Sequence, residues 1–114
     1  MNAIDRLNAI ENGWIPIVFK KILNHGRIEY RNKNNKLHSE YDLPAVIYTD
    51  GTQYWYKNGK LHRENDLPAK IYSNGSMEWY KNGKRHRDND LPAVILNSGH
   101  QYWYKHGKLI NGTN

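Results

Sequence analysis

The feature that most constrains this 114-residue chain is a period of 24 residues. Leu43-Pro44-Ala45 returns as Leu67-Pro68-Ala69 and as Leu91-Pro92-Ala93. Trp55-Tyr56-Lys57 returns as Trp79-Tyr80-Lys81 and Trp103-Tyr104-Lys105, and Lys36-Leu37-His38 as Lys60-Leu61-His62 and Lys84-Arg85-His86. A degenerate copy runs from His25-Gly26 to His38 with one extra residue, and a truncated copy ends at Lys108-Leu109-Ile110. Such a period marks small supersecondary units stacked on a shared core, with atypical units at the ends.

Each unit reads as a β-hairpin. Ala45 to Tyr48 has strand composition, Asp50-Gly51 is a turn, Gln53 to Lys57 is a second strand rich in aromatics, and Asn58-Gly59 closes it. Both dipeptides suit type I′ turns, whose two central residues need positive φ. A short third strand fits Lys60 to His62. Arg63 to Asp66 is a loop, because the following Pro68 cannot donate to a ladder. No helix is expected beyond residue 20. Before that point Ala3, Leu7 and Ile10 share a helical spacing that Asn12-Gly13 stops, and Trp14 to Phe19 reads as extended chain broken by Pro16. The predicted fold is mostly β: an antiparallel sheet of tandem 24-residue hairpin repeats. Residues 1–21 form a helix-and-strand cap, and residues 22–114 hold the repeats of the same single domain.

Comparing the copies predicts which residues face inward. Ala45 and Ile47 recur unchanged as Ala69 and Ile71 and as Ala93 and Ile95, whereas Val46 becomes Lys70 and then Val94. An unpaired ammonium is costly to bury, so the Val46 parity is assigned to solvent. Tyr54 becomes Glu78 and then Tyr102, which assigns that parity outward too, together with Tyr56, Tyr80 and Tyr104. Trp55, Trp79 and Trp103 then join Ile47, Ile71 and Ile95 in the structural core. A bulge after the Trp would exchange the tyrosine assignments. On this reading the loops align into an acidic ridge (Glu40, Asp42, Glu64, Asp66, Asp88, Asp90) beside a basic band of Lys60, Arg63, Lys84, Arg85 and Arg87. His38, His62 and His86 form a row. Each is expected to bond the Asp four residues on (Asp42, Asp66, Asp90) rather than a metal, since stacked copies lie about 10 Å apart, too far to share one ion.

Composition narrows the function classes. The longest apolar stretch, Trp14 to Phe19, is too short to cross a bilayer as a helix, and Asp5 and Glu11 interrupt any leader-like apolar core. The absence of cysteine removes disulfides, thiolate metal sites and a Cys nucleophile, and predicts a cytoplasmic setting. No Ser or Cys nucleophile follows the period of the histidines, so no catalytic residue, metal or cofactor is assigned and no enzyme is expected.

The string Tyr80-Lys81-Asn82-Gly83-Lys84-Arg85-His86 resembles the core of MORN repeats, and Tyr48-Thr49-Asp50-Gly51 matches their upstream turn. The closer likeness is to a MORN-like variant of bacteriophage, giant-virus and bacterial proteins, antitoxin-type chains among them. It covers roughly residues 22 to 110. Arg63-Glu64-Asn65-Asp66 and Arg87-Asp88-Asn89-Asp90 replace the family's usual Gly-x-Gly after the His, so lipid binding is not carried over. The resemblance implies a binding surface, and a phage-type origin implies the host cytoplasm and an inhibitor of a host defence or toxin protein.

The expected function is therefore non-catalytic protein binding by Tyr54, Tyr56, Lys70, Tyr72, Tyr80, Tyr102 and Tyr104, rimmed by Lys60, Arg63, Lys84, Arg85 and Arg87. Tyrosine and arginine are common binding anchors. The alternative is single-stranded nucleic acid, with bases stacked on the tyrosines and phosphates on the cations. Open sheet edges also leave room for a homodimer.

Overall fold

The computed structural model describes residues 18–113. The helix expected around Ala3 to Ile10 and most of the Trp14 to Phe19 segment lie outside them. The described residues are β-rich, with antiparallel pairing and no helix. In chain order the strands are β1 (Phe19–Ile22), β2 (Ile28–Arg31), β3 (Val46–Ile47), β4 (Gln53–Tyr54), β5 (Tyr56–Lys57), β6 (Lys60–Leu61), β7 (Lys70–Ile71), β8 (Met77–Glu78), β9 (Tyr80–Lys81), β10 (Lys84–Arg85), β11 (Val94–Ile95), β12 (Gln101–Lys105) and β13 (Lys108–Gly112). The main sheet runs β1-β2-β3-β4-β7-β8-β11-β12-β13, while β5-β6 and β9-β10 form separate two-stranded ribbons. β1 pairs with β2 over its whole length, so the boundary between residues 21 and 22 falls inside one strand.

The aromatic strand is split at its tryptophan. Trp55 donates its backbone N–H to Ala69 O at 2.7 Å on the main-sheet side and accepts from the His62 N–H at 3.1 Å on the ribbon side. Trp79 does the same with Ala93 (2.7 Å) and His86 (3.1 Å). At Trp103 the strand stays continuous, but its register shifts: Trp103 faces Asn111 and Tyr104 faces Leu109, leaving Ile110 as the extra residue of a bulge.

The two kinds of turn differ. Asn58-Gly59, Asn82-Gly83 and His106-Gly107 have positive φ at both residues (50° and 85° in the first), as a type I′ turn requires. In Asp50-Gly51, Asn74-Gly75 and Ser98-Gly99 only the glycine does. Gly51 donates to Tyr48 O at 3.0 Å and Thr52 N–H to the Asp50 carboxylate at 2.9 Å, so this is a three-residue connection ending on a left-handed Gly. Type I′ geometry also appears where none was expected, at Asn65-Asp66 (φ 62° and 56°) before Leu67-Pro68.

Ala45, Ala69 and Ala93 are fully buried, and Trp55 and Trp79 are each 6% exposed. Trp103, Ile47, Ile71 and Ile95 are only half-buried. The outward assignment of the other parity is wrong. Val46, Glu78 and Val94 are 3%, 6% and 6% exposed, and Lys70 is half-buried. Glu29, Val46, Tyr54, Lys70, Glu78, Val94 and Tyr102 are successive cross-strand partners on one face. Side chains of the ribbons lie over that face, and its charges are partnered, which removes the penalty the assignment relied on.

Candidate interaction surface

Three side-chain sets, the first two of them recurring, hold the units together. In the first, an arginine lies flat on a tryptophan. The Arg63 guanidinium carbon is 3.7 Å from the Trp55 ring centroid, and the Arg87 carbon is 3.8 Å from that of Trp79. Arg63 donates to both oxygens of Asp42 (2.8 and 3.2 Å) and to Pro68 O (3.1 Å); Arg87 treats Asp66 (2.9 and 3.3 Å) and Pro92 O (3.0 Å) alike. The indole N–H of each tryptophan donates to the backbone carbonyl of the same aspartate, at 3.0 Å. Stacking, a two-pronged carboxylate contact and a carbonyl acceptor use most of the guanidinium's donors. Arg63 and Arg87 therefore belong to structural sockets, not to a free basic band.

In the second set each histidine clamps the next unit. The backbone N–H of Asn58, Asn82 and His106 donates to Nδ1 of His38, His62 and His86 at 2.9 to 3.0 Å. A backbone N–H can only donate, so Nε2 carries the ring proton. That proton goes to Glu40, Glu64 and Asp88 at 2.7 to 2.8 Å, two residues on, and not to Asp42, Asp66 and Asp90 as the spacing had suggested. These bonds hold Glu64 and Asp88 below the ordinary carboxylate range. Among the described residues no group of three or more His, Asp or Glu is arranged to hold a metal.

The third set occupies the middle of the tyrosine face. Glu78 accepts from the hydroxyl of Tyr72 at 2.5 Å, from the hydroxyl of Tyr80 at 3.1 Å and from Arg85 Nε at 2.9 Å. The Lys70 ammonium lies 4.7 Å from the Tyr54 ring centroid and 5.4 Å from that of Tyr80, and Arg85 lies 5.3 Å from that of Tyr104. Tyr54 meets Tyr48 and Tyr72 edge-on, with centroids 5.1 and 6.0 Å apart. The expected open ladder of tyrosines is thus a half-buried, mutually engaged layer; Tyr56, Tyr102 and Tyr104 are half-buried as well. Glu29 was missed by sequence reasoning. It occupies the Glu78 position two copies earlier, 5% exposed between Arg27 (2.9 Å) and Arg31 (3.0 Å).

Titration in this layer has a testable sign. Burial, reinforced by the charge of Glu78, pushes Tyr80 up to about 12, and burial with the Glu78 hydrogen bond pushes Tyr72 further still. The unfolded chain then loses these protons first as pH passes the ordinary 10.0. Stability present below pH 10 should fall as pH rises towards 12, with a limiting slope of about 1.4 kcal/mol per pH unit for each proton. Burial would raise Glu78, but hydrogen bonds from Tyr72 and Arg85 outweigh it and lower the carboxyl, so its contribution is lost only below pH 4.5. Urea melts between pH 3 and pH 12 check both flanks, and Glu78→Gln should flatten the alkaline one.

What remains on the outside is lysine. Lys57 faces Lys60, Lys81 faces Lys84 and Lys105 faces Lys108 directly across the type I′ turns, and all six are exposed. Like charges opposite one another in a hairpin oppose folding. The nearest carboxylate contact is that of Lys81 with Asp88, at 4.0 Å. Comparison with protein-family models, curated proteins and solved structures finds no match. No helix among the described residues is long and apolar enough to cross a membrane.

Proposed function

We propose that this chain is a tandem array of MORN-like hairpins that binds a protein partner without catalysis, and that the partner presents an acidic surface to the lysine-flanked hairpin tips. An inhibitor of a host defence or toxin protein, acting in the host cytoplasm, is the most concrete form of that role. The observation that carries the reading is the set of three hairpin tips with exposed lysines facing one another, an arrangement that costs stability and is repeated three times. A carboxylate-rich partner would relieve the repulsion and gain charge complementarity, which acts mainly on association rate and specificity. The alternative, single-stranded nucleic acid, needs free ring faces for base stacking. Tyr54, Tyr80 and Tyr104 already have cations over their rings, and Tyr54 packs edge-on against two neighbours, which favours protein over nucleic acid.

Lys60→Glu separates binding from folding. It replaces a like-charge pair with an opposite-charge pair, so it should stabilise the fold by about 0.5 kcal/mol while weakening the partner. Fluorescence titrations of a labelled ten-residue glutamate peptide and a labelled single-stranded oligonucleotide, across a salt series, test the chemistry. Binding of the peptide that weakens in Lys60→Glu is expected. Tighter binding of the oligonucleotide with a steep salt dependence would favour nucleic acid instead.

A further inference from the structure

The third socket is built but unfilled among the described residues. Trp103 donates its indole N–H to Asp90 O at 3.0 Å, as Trp55 and Trp79 do to Asp42 and Asp66, and Asp90 shares their left-handed φ (56°). The position that carries Arg63 and Arg87 in the earlier copies is here Asn111, whose amide oxygen accepts from the Gly112 N–H at 2.9 Å. Asp42 and Asp66 are paired with arginines, whereas among the described residues no basic side chain pairs with Asp90. Trp103 is accordingly half-exposed, and the groove beside it measures about 370 Å³ against about 260 Å³ beside Trp55 and about 110 Å³ beside Trp79. Ile110, 59% exposed in the histidine slot, adds an apolar wall.

We infer that the Trp103–Asp90 groove receives an arginine side chain of the partner protein. The chain supplies two worked precedents for the occupant, each a guanidinium stacked on the indole and bonded to both carboxylate oxygens. Lys105 lines the groove, but Lys57 and Lys81 line the filled sockets in the same way, so a neighbouring lysine does not keep a guanidinium out. A lysine from the partner would fit less well. Its ammonium is a point charge that can neither lie flat on the ring nor bond both carboxylate oxygens in a fork. The inference deepens the protein-binding reading by naming one chemical group on the partner, in a groove that shares Lys105 with the third lysine tip and touches neither of the other two.

The test uses the indole N–H resonances of the ¹⁵N-labelled chain, with that of Trp103 assigned through Trp103→Phe. Acetyl-Gly-Arg-Gly-amide should shift the Trp103 signal saturably and leave those of Trp55 and Trp79 in place. The lysine tripeptide should bind about tenfold more weakly. Asp90→Asn should abolish the response. Asn111→Arg, which offers the arginine from within the chain, should abolish it too and raise the melting midpoint. No saturable shift, equal binding of the two peptides, or a response that survives in Asn111→Arg would overturn the inference. Lys60→Glu leaves this groove intact: loss of glutamate-peptide binding with a normal indole response supports both readings. Undiminished glutamate-peptide binding in that variant counts against the lysine tips alone.

Discussion

Trp79→Ala should lower the unfolding free energy by about 3–5 kcal/mol in urea melts, the usual loss for a buried aromatic. Trp79 is 6% exposed and is held by its indole bond to Asp66 O and by the guanidinium of Arg87. Removing the ring opens a cavity and also takes away the seat of Arg87, leaving its contacts to Asp66 and Pro92 without support. Single domains are stable by only about 5–15 kcal/mol, so this one change should remove a large share of the total. Trp103→Ala is the internal comparison. That ring is half-exposed and carries no arginine, and its loss should cost about half as much. Equal midpoints for Trp79→Ala and the parent chain would mean that the sockets do not hold the units together.

The second large effect concerns the charges on the buried face. Lys70, Glu78 and Arg85 stand where the first full copy has Val46, Tyr54 and Leu61 and the last has Val94, Tyr102 and Leu109. Glu78→Ala should cost about 3 kcal/mol or more, because it strands Arg85 and two tyrosine hydroxyls whose acceptor it removes. The triple change Lys70→Val, Glu78→Tyr, Arg85→Leu should behave in the opposite way. Exchanging a buried ionic set for well-packed apolar side chains is often neutral or stabilising by about 1–4 kcal/mol. Here the replacements are those the neighbouring units already use. Chemical denaturation of the single and triple variants reads the contrast directly. A triple variant weaker than Glu78→Ala would show that the middle unit depends on its charges for more than satisfying one another.

The same three residues mark where sequence reasoning went astray. The places of the turns, the short strands and the burial of Trp55 and Trp79 were legible because Gly, Asn and Trp have strong local reasons to stand where they do. Facing was not, because Lys70 was weighed alone. Lysine and glutamate arrive in the same copy, at positions that the hairpin register places opposite one another. Read as a pair, they announce a compensated buried charge rather than a wet surface. Histidine partners were misassigned for a related reason: Asp42, Asp66 and Asp90 sit in left-handed turns that aim Asp42 and Asp66 at arginines instead. The missing lid at Asn111 was visible in the aligned copies, but it carries meaning only once Arg63 and Arg87 are known to lie on tryptophans. Because tyrosine packing and arginine sockets absorb most of the residues first assigned to binding, the surface left for a partner is smaller and more basic than the sequence suggests.

The most direct test of that conclusion is affinity capture from a bacterial cell lysate with the parent chain and with Lys57→Gln, Lys60→Gln, Lys81→Gln and Lys84→Gln combined, after melts have confirmed that the variant folds. The account predicts one protein retained by the parent and released by the variant, with no nucleic acid in the eluate. Equal retention by the two chains, or an eluate carrying nucleic acid that nuclease treatment removes together with the protein, would contradict it.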